Sequence, residues 1–218
     1  MDIFNFVLDN WEIIASRTAE HLTLVSLAVG LAILTGVPIG IAITQNQRAA
    51  NIVLYVASII ITIPSIALFG IMIPVLSIIG QGIGYVPAVI AVLLYSQLPI
   101  IRNTYTAINN VEPALREAAR GIGLTNAQRL RLVEIPLSIP VIMAGVRTAV
   151  VMNIGVMAIA TYIGAGGLGT FIARGISQSD PRQLIVGAVA VSLLAIFADT
   201  LLAMIQKKFT PKGVVVHG

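Results

Sequence analysis

The chain has 218 residues, of which 57% are hydrophobic and only 10% charged, and its mean hydropathy is +0.97. Soluble domains carry about 25% charged residues, so this composition excludes a water-soluble, disordered or nucleic-acid-binding chain and points to a membrane protein. The 13 basic against 9 acidic residues bear on orientation rather than on anionic partners, and the lack of cysteine removes disulfides, thiol catalysis and thiolate metal sites.

Residues 1–20 hold four acids (Asp2, Asp9, Glu12, Glu20) and one Arg, the reverse of a signal peptide's basic start. Ile3 to Thr18 is expected to form an interfacial amphipathic helix anchored by Phe4, Phe6 and Trp11. A membrane domain over 21–206 follows, built from apolar runs long enough for helices of about 20 residues. The first span is expected at Leu22–Thr44. No charge interrupts the run from Ala49 to Ile101, which is too long for one helix. Gly80, Gly82, Gly84 and Pro87 mark a reversal within it, giving spans near Asn51–Ile79, kinked at Pro64 or Pro74, and Pro87–Tyr105. The last two are Ile139–Ile163 and Gln183–Gln206, interrupted by Arg147 and Asp199. Uniformly apolar runs lack the two-residue alternation of a membrane β-barrel, so the expected fold is all-α with about five spans.

The long polar stretch 109–136 carries Arg116, Arg120, Arg129 and Arg131, which the positive-inside rule places in the cytoplasm. Five spans then put the N-terminus outside, and the tail 207–218, with Lys207, Lys208 and Lys212, inside. Arg48 and Arg102 also fall inside, leaving Arg17, Arg174 and Arg182 outside. Within the stretch, Pro113 and Gly121 to Gly123 bracket a short helix. Thr125-Asn-Ala-Gln128 fits a capping box that opens a second one, expected to stop or bend at Pro136. Ala118 and Ala119 would let another protein approach closely, with Arg116, Glu117 and Arg120 pairing charges around the contact.

Glu117-Ala118-Ala119, three residues, Gly123, nine residues, Val133, one residue, Ile135-Pro136 resembles the EAA loop of ABC importer permeases, EAA-x3-G-x9-I-x-L-P. Val133 and Ile135 depart conservatively. The resemblance implies a type I (MetI-like) permease fold whose cytoplasmic coupling helix docks in a groove of a separate ATPase, with Glu117, Ala118, Ala119 and Gly123 as coupling residues. That ATPase would bind the ATP and Mg, with no cofactor in this chain. It further implies an extracellular substrate-binding protein and a second permease subunit, identical or similar, in the plasma membrane of a bacterium. Tyr162 to Gly169 and Arg147-Thr148-Ala149 look most like permeases for the quaternary-ammonium osmoprotectants glycine betaine, carnitine and choline. Methionine and sulfonate permeases share a similar glycine-rich stretch.

Gly164-x-Gly166-x-x-Gly169 formally matches a dinucleotide fingerprint, but it follows a membrane helix and the nearest acid, Asp180, is too close. These glycines, with Gly167, are expected to form a tight extracellular turn where backbones approach closely. By resemblance the turn lies at the outer mouth of the pathway. Arg147 and Asp199 fall at similar depth and either pair, holding the fourth span against the fifth, or snorkel separately. Tyr55, Tyr85, Tyr95, Tyr105 and Tyr162 read as interfacial belt residues rather than an aromatic cage. His21 and His217 lie near opposite ends of the chain, so no metal cluster or acid–base relay is expected, and no Walker phosphate loop is present.

Overall fold

A computed structural model describes residues 2–209, and among them the structure is helical without strands. The expected tail from residue 210 onward, His217 included, lies outside the described residues.

Helix α1 (Ile3–Asp9) is short and is capped by the Asp2 carboxylate, which accepts from Asn5 N at 3.1 Å. Asn10 ends it by leaving helical geometry and donating its side-chain amide to Phe6 O at 2.9 Å. The interfacial helix expected over residues 3–18 is therefore not one element. Trp11 opens α2 (Trp11–Ala42), which runs unbroken through the expected boundary at residue 20 because no Gly or Pro precedes Gly30. At 1.5 Å per residue α2 is about 48 Å long, longer than the hydrocarbon core of about 30 Å.

The second span is split more sharply than a kink. Helices α3 (Gln47–Thr62) and α4 (Ser65–Ser77) meet at 100° across Ile63 and Pro64. Pro64 lacks an N–H and pushes Ile63 into an extended conformation (ψ 125°), and Tyr95 donates its hydroxyl to the freed Ile63 carbonyl. Pro74 sits inside α4 without breaking it. Tyr95 is consequently buried (4% exposed) rather than in an interfacial belt, whereas Tyr55, Tyr85 and Tyr162 are exposed.

Helix α5 (Tyr85–Asn109) is the most enclosed span and packs against both α2 and α8 (Ile135–Ile159). Ala28, Ala32, Ala88, Ala91 and Ala149 are fully buried between them. Lipid gives apolar side chains no advantage in pairing, so small residues that let backbones approach drive such contacts. Gly145 is an extreme case, since a Cβ there would stand 2.7 Å from Pro99 O and 2.6 Å from Asn103 Cβ. Asn153, fully buried, donates to Ser96 Oγ at 2.8 Å and ties α8 to α5 by a polar contact inside the bundle.

Between α5 and α8 lie α6 (Pro113–Gly121) and α7 (Asn126–Arg129). Both halves of the Thr125–Gln128 capping box form, at 3.3 and 2.9 Å. Pro136 does not stop the second helix: a π-helical turn over Leu130–Glu134 carries it into α8. The wider turn accommodates the proline's missing N–H, as π-turns in helices commonly do. After α8 a 3-10 turn (Ala160–Ile163) leads through the glycine stretch to α9 (Gly169–Ser177) and α10 (Pro181–Phe209). Among the described residues four helical stretches are long and apolar enough to cross a membrane, five if α3 and α4 count as one broken span.

Candidate functional site

Three clusters gather the residues singled out from the sequence. At one end of the bundle, α6 presents Glu117, Ala118 and Arg120 to the surface, flanked by Ile122 at 79% exposed. Ala119, by contrast, is buried against the chain itself at 4% exposed. Gly123 ends the helix at φ +83°, its N–H reaching Arg120 O at 2.9 Å while Leu124 N reaches Ala119 O at 3.1 Å. This left-handed closure satisfies the last carbonyls of α6.

Arg116 does not face outward with Glu117. Its Nε lies 3.2 Å from Glu134 Oε1, and its Nη2 donates to the Ile108 carbonyl. Arg129 Nε donates to the same Glu134 oxygen at 2.8 Å. Glu134, 5% exposed at its side chain, thus joins α6, α7 and the base of α8. Sequence reasoning missed it because it occupies an unspecified position of the motif; the one available signal was an acid closely following Arg129 and Arg131.

The second cluster joins α8 to α10. Arg147 Nε and Nη2 donate to Asp199 Oδ1 and Oδ2 at 2.9 and 3.0 Å, a bidentate pair, and Arg147 Nη1 donates to Gln206 Oε1 at 2.9 Å. Gln206 Nε2 in turn donates to Pro140 O at 2.8 Å. The pair is not sealed in the core: the side chains are 29% and 40% exposed along a groove of about 530 Å³.

The third cluster, at the opposite end of the bundle from α6, is the glycine turn. Gly164, Gly166 and Gly167 adopt φ of +82°, +80° and +73°. Gly166 and Gly167 press against side chains of the chain's own α2, those of Glu20 and His21, and Gly164 against Ile83 before α5. Glu20 Oε2 accepts from Gly167 N at 2.9 Å and from Arg17 Nη1 at 2.7 Å, and Tyr85 donates its hydroxyl to Glu20 Oε1. His21, fully buried, has Nε2 3.0 Å from Ile154 O, a group that only accepts, so Nε2 carries the proton and Nδ1 accepts from Leu168 N at 3.3 Å. Gly169 packs so tightly that a Cβ would stand 1.9 Å from Ala158 O. Gly84 N bonds Ile163 O at 2.8 Å, tying the α4–α5 connection to the same turn. Neither Glu20 nor His21 could be paired with the turn from sequence, since 147 residues separate Glu20 from Gly167.

Near this end Arg182 donates Nε and its backbone N–H to Asp180 Oδ1 at 3.1 and 3.0 Å. The guanidinium holds the Asp180 carboxyl at about 2, so Asp180 is ionised at the start of α10, where a helix dipole favours negative charge.

Residues 32–211 match the family described as binding-protein-dependent transport system inner membrane component. The chain is 59% identical over 214 residues, 98% of its length and 100% of the relative's, to the osmoprotectant import permease protein OsmW of Salmonella typhimurium. It is 44% identical over 211 residues, 97% and 95% of the two chains, to the glycine betaine/carnitine/choline transport system permease protein OpuCB of Bacillus subtilis. Among solved structures it is similar to the inward-facing MetNI methionine ABC transporter (TM-score 0.80, 24% identity, covering 91% of this chain and 96% of that one). An amino acid ABC transporter crystallised with histidines gives a TM-score of 0.78 at 21% identity, covering 94% and 98%.

Proposed function

This chain belongs to the family of binding-protein-dependent transport system inner membrane components, and from that premise we propose that it is the multi-pass permease subunit of an ABC importer for quaternary-ammonium osmoprotectants. The end-to-end 59% identity to an osmoprotectant import permease carries the solute class. The likeness to a methionine transporter, at 24% identity, speaks for the fold and not for methionine.

In this reading the α6 end faces the cytoplasm and the glycine turn faces outward, which puts the N-terminus outside and the C-terminus inside. The excess of Arg and Lys at the α6 end supports that orientation. The surface of Glu117, Ala118 and Arg120 docks the ATPase, which holds the ATP and Mg. Gly123 sets the angle at which α6 leaves the membrane base. Glu134 strengthens the reading, because its contacts with Arg116 and Arg129 make α6, α7 and the base of α8 one body. A push on α6 then reaches α8 instead of being absorbed at Gly123.

At the other end a binding protein delivers solute beside the glycine turn, and a second permease subunit completes the pathway. Ala119, buried within the chain, acts in this scheme by seating α6 rather than by touching the partner.

Uptake of labelled glycine betaine, carnitine, choline, methionine and taurine after osmotic upshift, in cells with and without this chain, tests the proposal. Loss confined to the quaternary amines is expected, and loss of methionine or taurine uptake would overturn the solute class. Ala118→Arg is expected to abolish uptake while leaving membrane insertion intact. Uptake at the wild-type rate in that variant would remove the docking role of α6.

A further inference from the structure

Arg147 sits midway along α8, about 18 Å from either end at 1.5 Å per residue. Charges at such depth are costly unless they face protein or water. Yet the Arg147–Asp199 pair is partly exposed along a groove whose other lining residues are Ala144, Thr148, Val151 and Met152. The outer face of α10 differs in kind, since Leu193, Ile196 and Phe197 stand 61–63% exposed there, as suits contact with lipid. The groove between α8 and α10 is therefore the face turned away from hydrocarbon.

We propose that this groove is a transit site for a zwitterionic quaternary ammonium carboxylate, with Asp199 facing the ammonium and Arg147 taking the carboxylate. The inference rests on the osmoprotectant reading and deepens it. A quaternary ammonium has no N–H to donate, so it is recognised by a negative charge and by apolar contact with its methyl groups. Asp199 supplies the first; Ala144, Val151 and Met152 supply the second.

Arg147 uses one N–H on each of its three nitrogens for Asp199 and Gln206. A guanidinium has five, which leaves one on each terminal nitrogen for a solute carboxylate. A zwitterion laid antiparallel to the existing pair meets opposite charge at both ends. Choline, a cation alone, meets Asp199 but is repelled by Arg147. Since both protein charges are already paired, the site holds its solute weakly, as a transit position must.

The test uses the complete transporter, with its ATPase and binding protein, in liposomes, and compares initial uptake of glycine betaine and choline, each normalised to wild type so that the binding protein's own preference cancels. Arg147→Gln is expected to lower the glycine betaine to choline ratio, and Asp199→Asn to raise it, each by about fivefold, the scale of one solvent-accessible charge contact. Rates that fall together with both ratios unchanged would make the pair a structural or subunit contact and overturn the site.

If the charge variants do not assemble, Thr148→Leu narrows the groove without touching a charge. It is expected to cut uptake of carnitine, the bulkier zwitterion, at least about threefold more than that of glycine betaine, a loss on the scale of a small steric contact. Equal effects on the two, or none, would overturn the proposal. A wild-type complex that carries no quaternary amine at all would instead overturn the functional reading, and this inference with it.

Discussion

Both ends of this bundle carry a short loop built on left-handed glycines, and the two are built for opposite purposes. Around α6, Gly123 has the backbone twist of a helix end and open space where a side chain would go. In the glycine turn, Gly166 and Gly167 have the same twist, but a Cβ on either would stand 2.5 Å from Glu20 Oε1 or 2.9 Å from His21 Nδ1. The first loop keeps Glu117, Ala118 and Arg120 outward. The second spends its backbone N–H groups on α2 through Glu20 and His21. Glycine at one end shapes a surface; at the other it lets two parts of one chain touch.

The largest break in that comparison comes from Gly169→Ala. The new Cβ would stand 1.9 Å from Ala158 O and 2.7 Å from Ala158 C, backbone atoms that cannot swing aside. The variant is expected to leave no folded protein in the membrane, measured by size-exclusion of the solubilised chain against wild type. Glu134→Ala comes next, because it strands Arg116 and Arg129 beside a nearly buried position. Breaking such a pair costs about 3–5 kcal/mol. Thermal denaturation should show it, and an unchanged midpoint would mean the loop is not braced from beneath. Glu20→Ala follows at about 1 kcal/mol, the cost of leaving the part-buried Gly167 N–H without its acceptor, while the exposed Tyr85 hydroxyl turns to water. Glu20→Gln, which can still accept from one of them, should lose less.

The same contrast explains what could be read from the sequence. The loop around α6 was legible because its features are local: Pro113 opens a helix, Gly123 ends it, and Thr125 with Gln128 caps the next one. Helix arithmetic puts Arg147 and Asp199 at similar depth, which leaves a pair or separate snorkelling open; the bidentate contact is decided by how α8 packs on α10. The glycine turn could be located but not explained. Its partners Glu20 and His21 lie at the far end of the chain, at the expected border between the N-terminal segment 1–20 and the membrane domain from residue 21. Two prolines in the second span were equal candidates for a kink, and only Pro64 breaks it. Tyr95 Oη accepting the role of donor to Ile63 O, which completes that break, depends on the packing of α3 against α5.

The smallest expected effect, a difference between two substitutions at one glycine, is also the sharpest separation of the two loops. At Gly123, φ of +83° with no atom within 4 Å means that a side chain meets only backbone strain. For alanine in the left-handed region this is about 1–2 kcal/mol, while asparagine tolerates the region better. Gly123→Asn should therefore be milder than Gly123→Ala. At Gly167, φ is nearly the same, but His21 occupies the space at 2.9 Å. There the larger asparagine should be worse than alanine, because space and not twist is limiting. Denaturation midpoints of the four variants check the reversal. The same order at both positions would mean that backbone strain governs both loops, and that the contact of the glycine turn with α2 yields readily to a side chain.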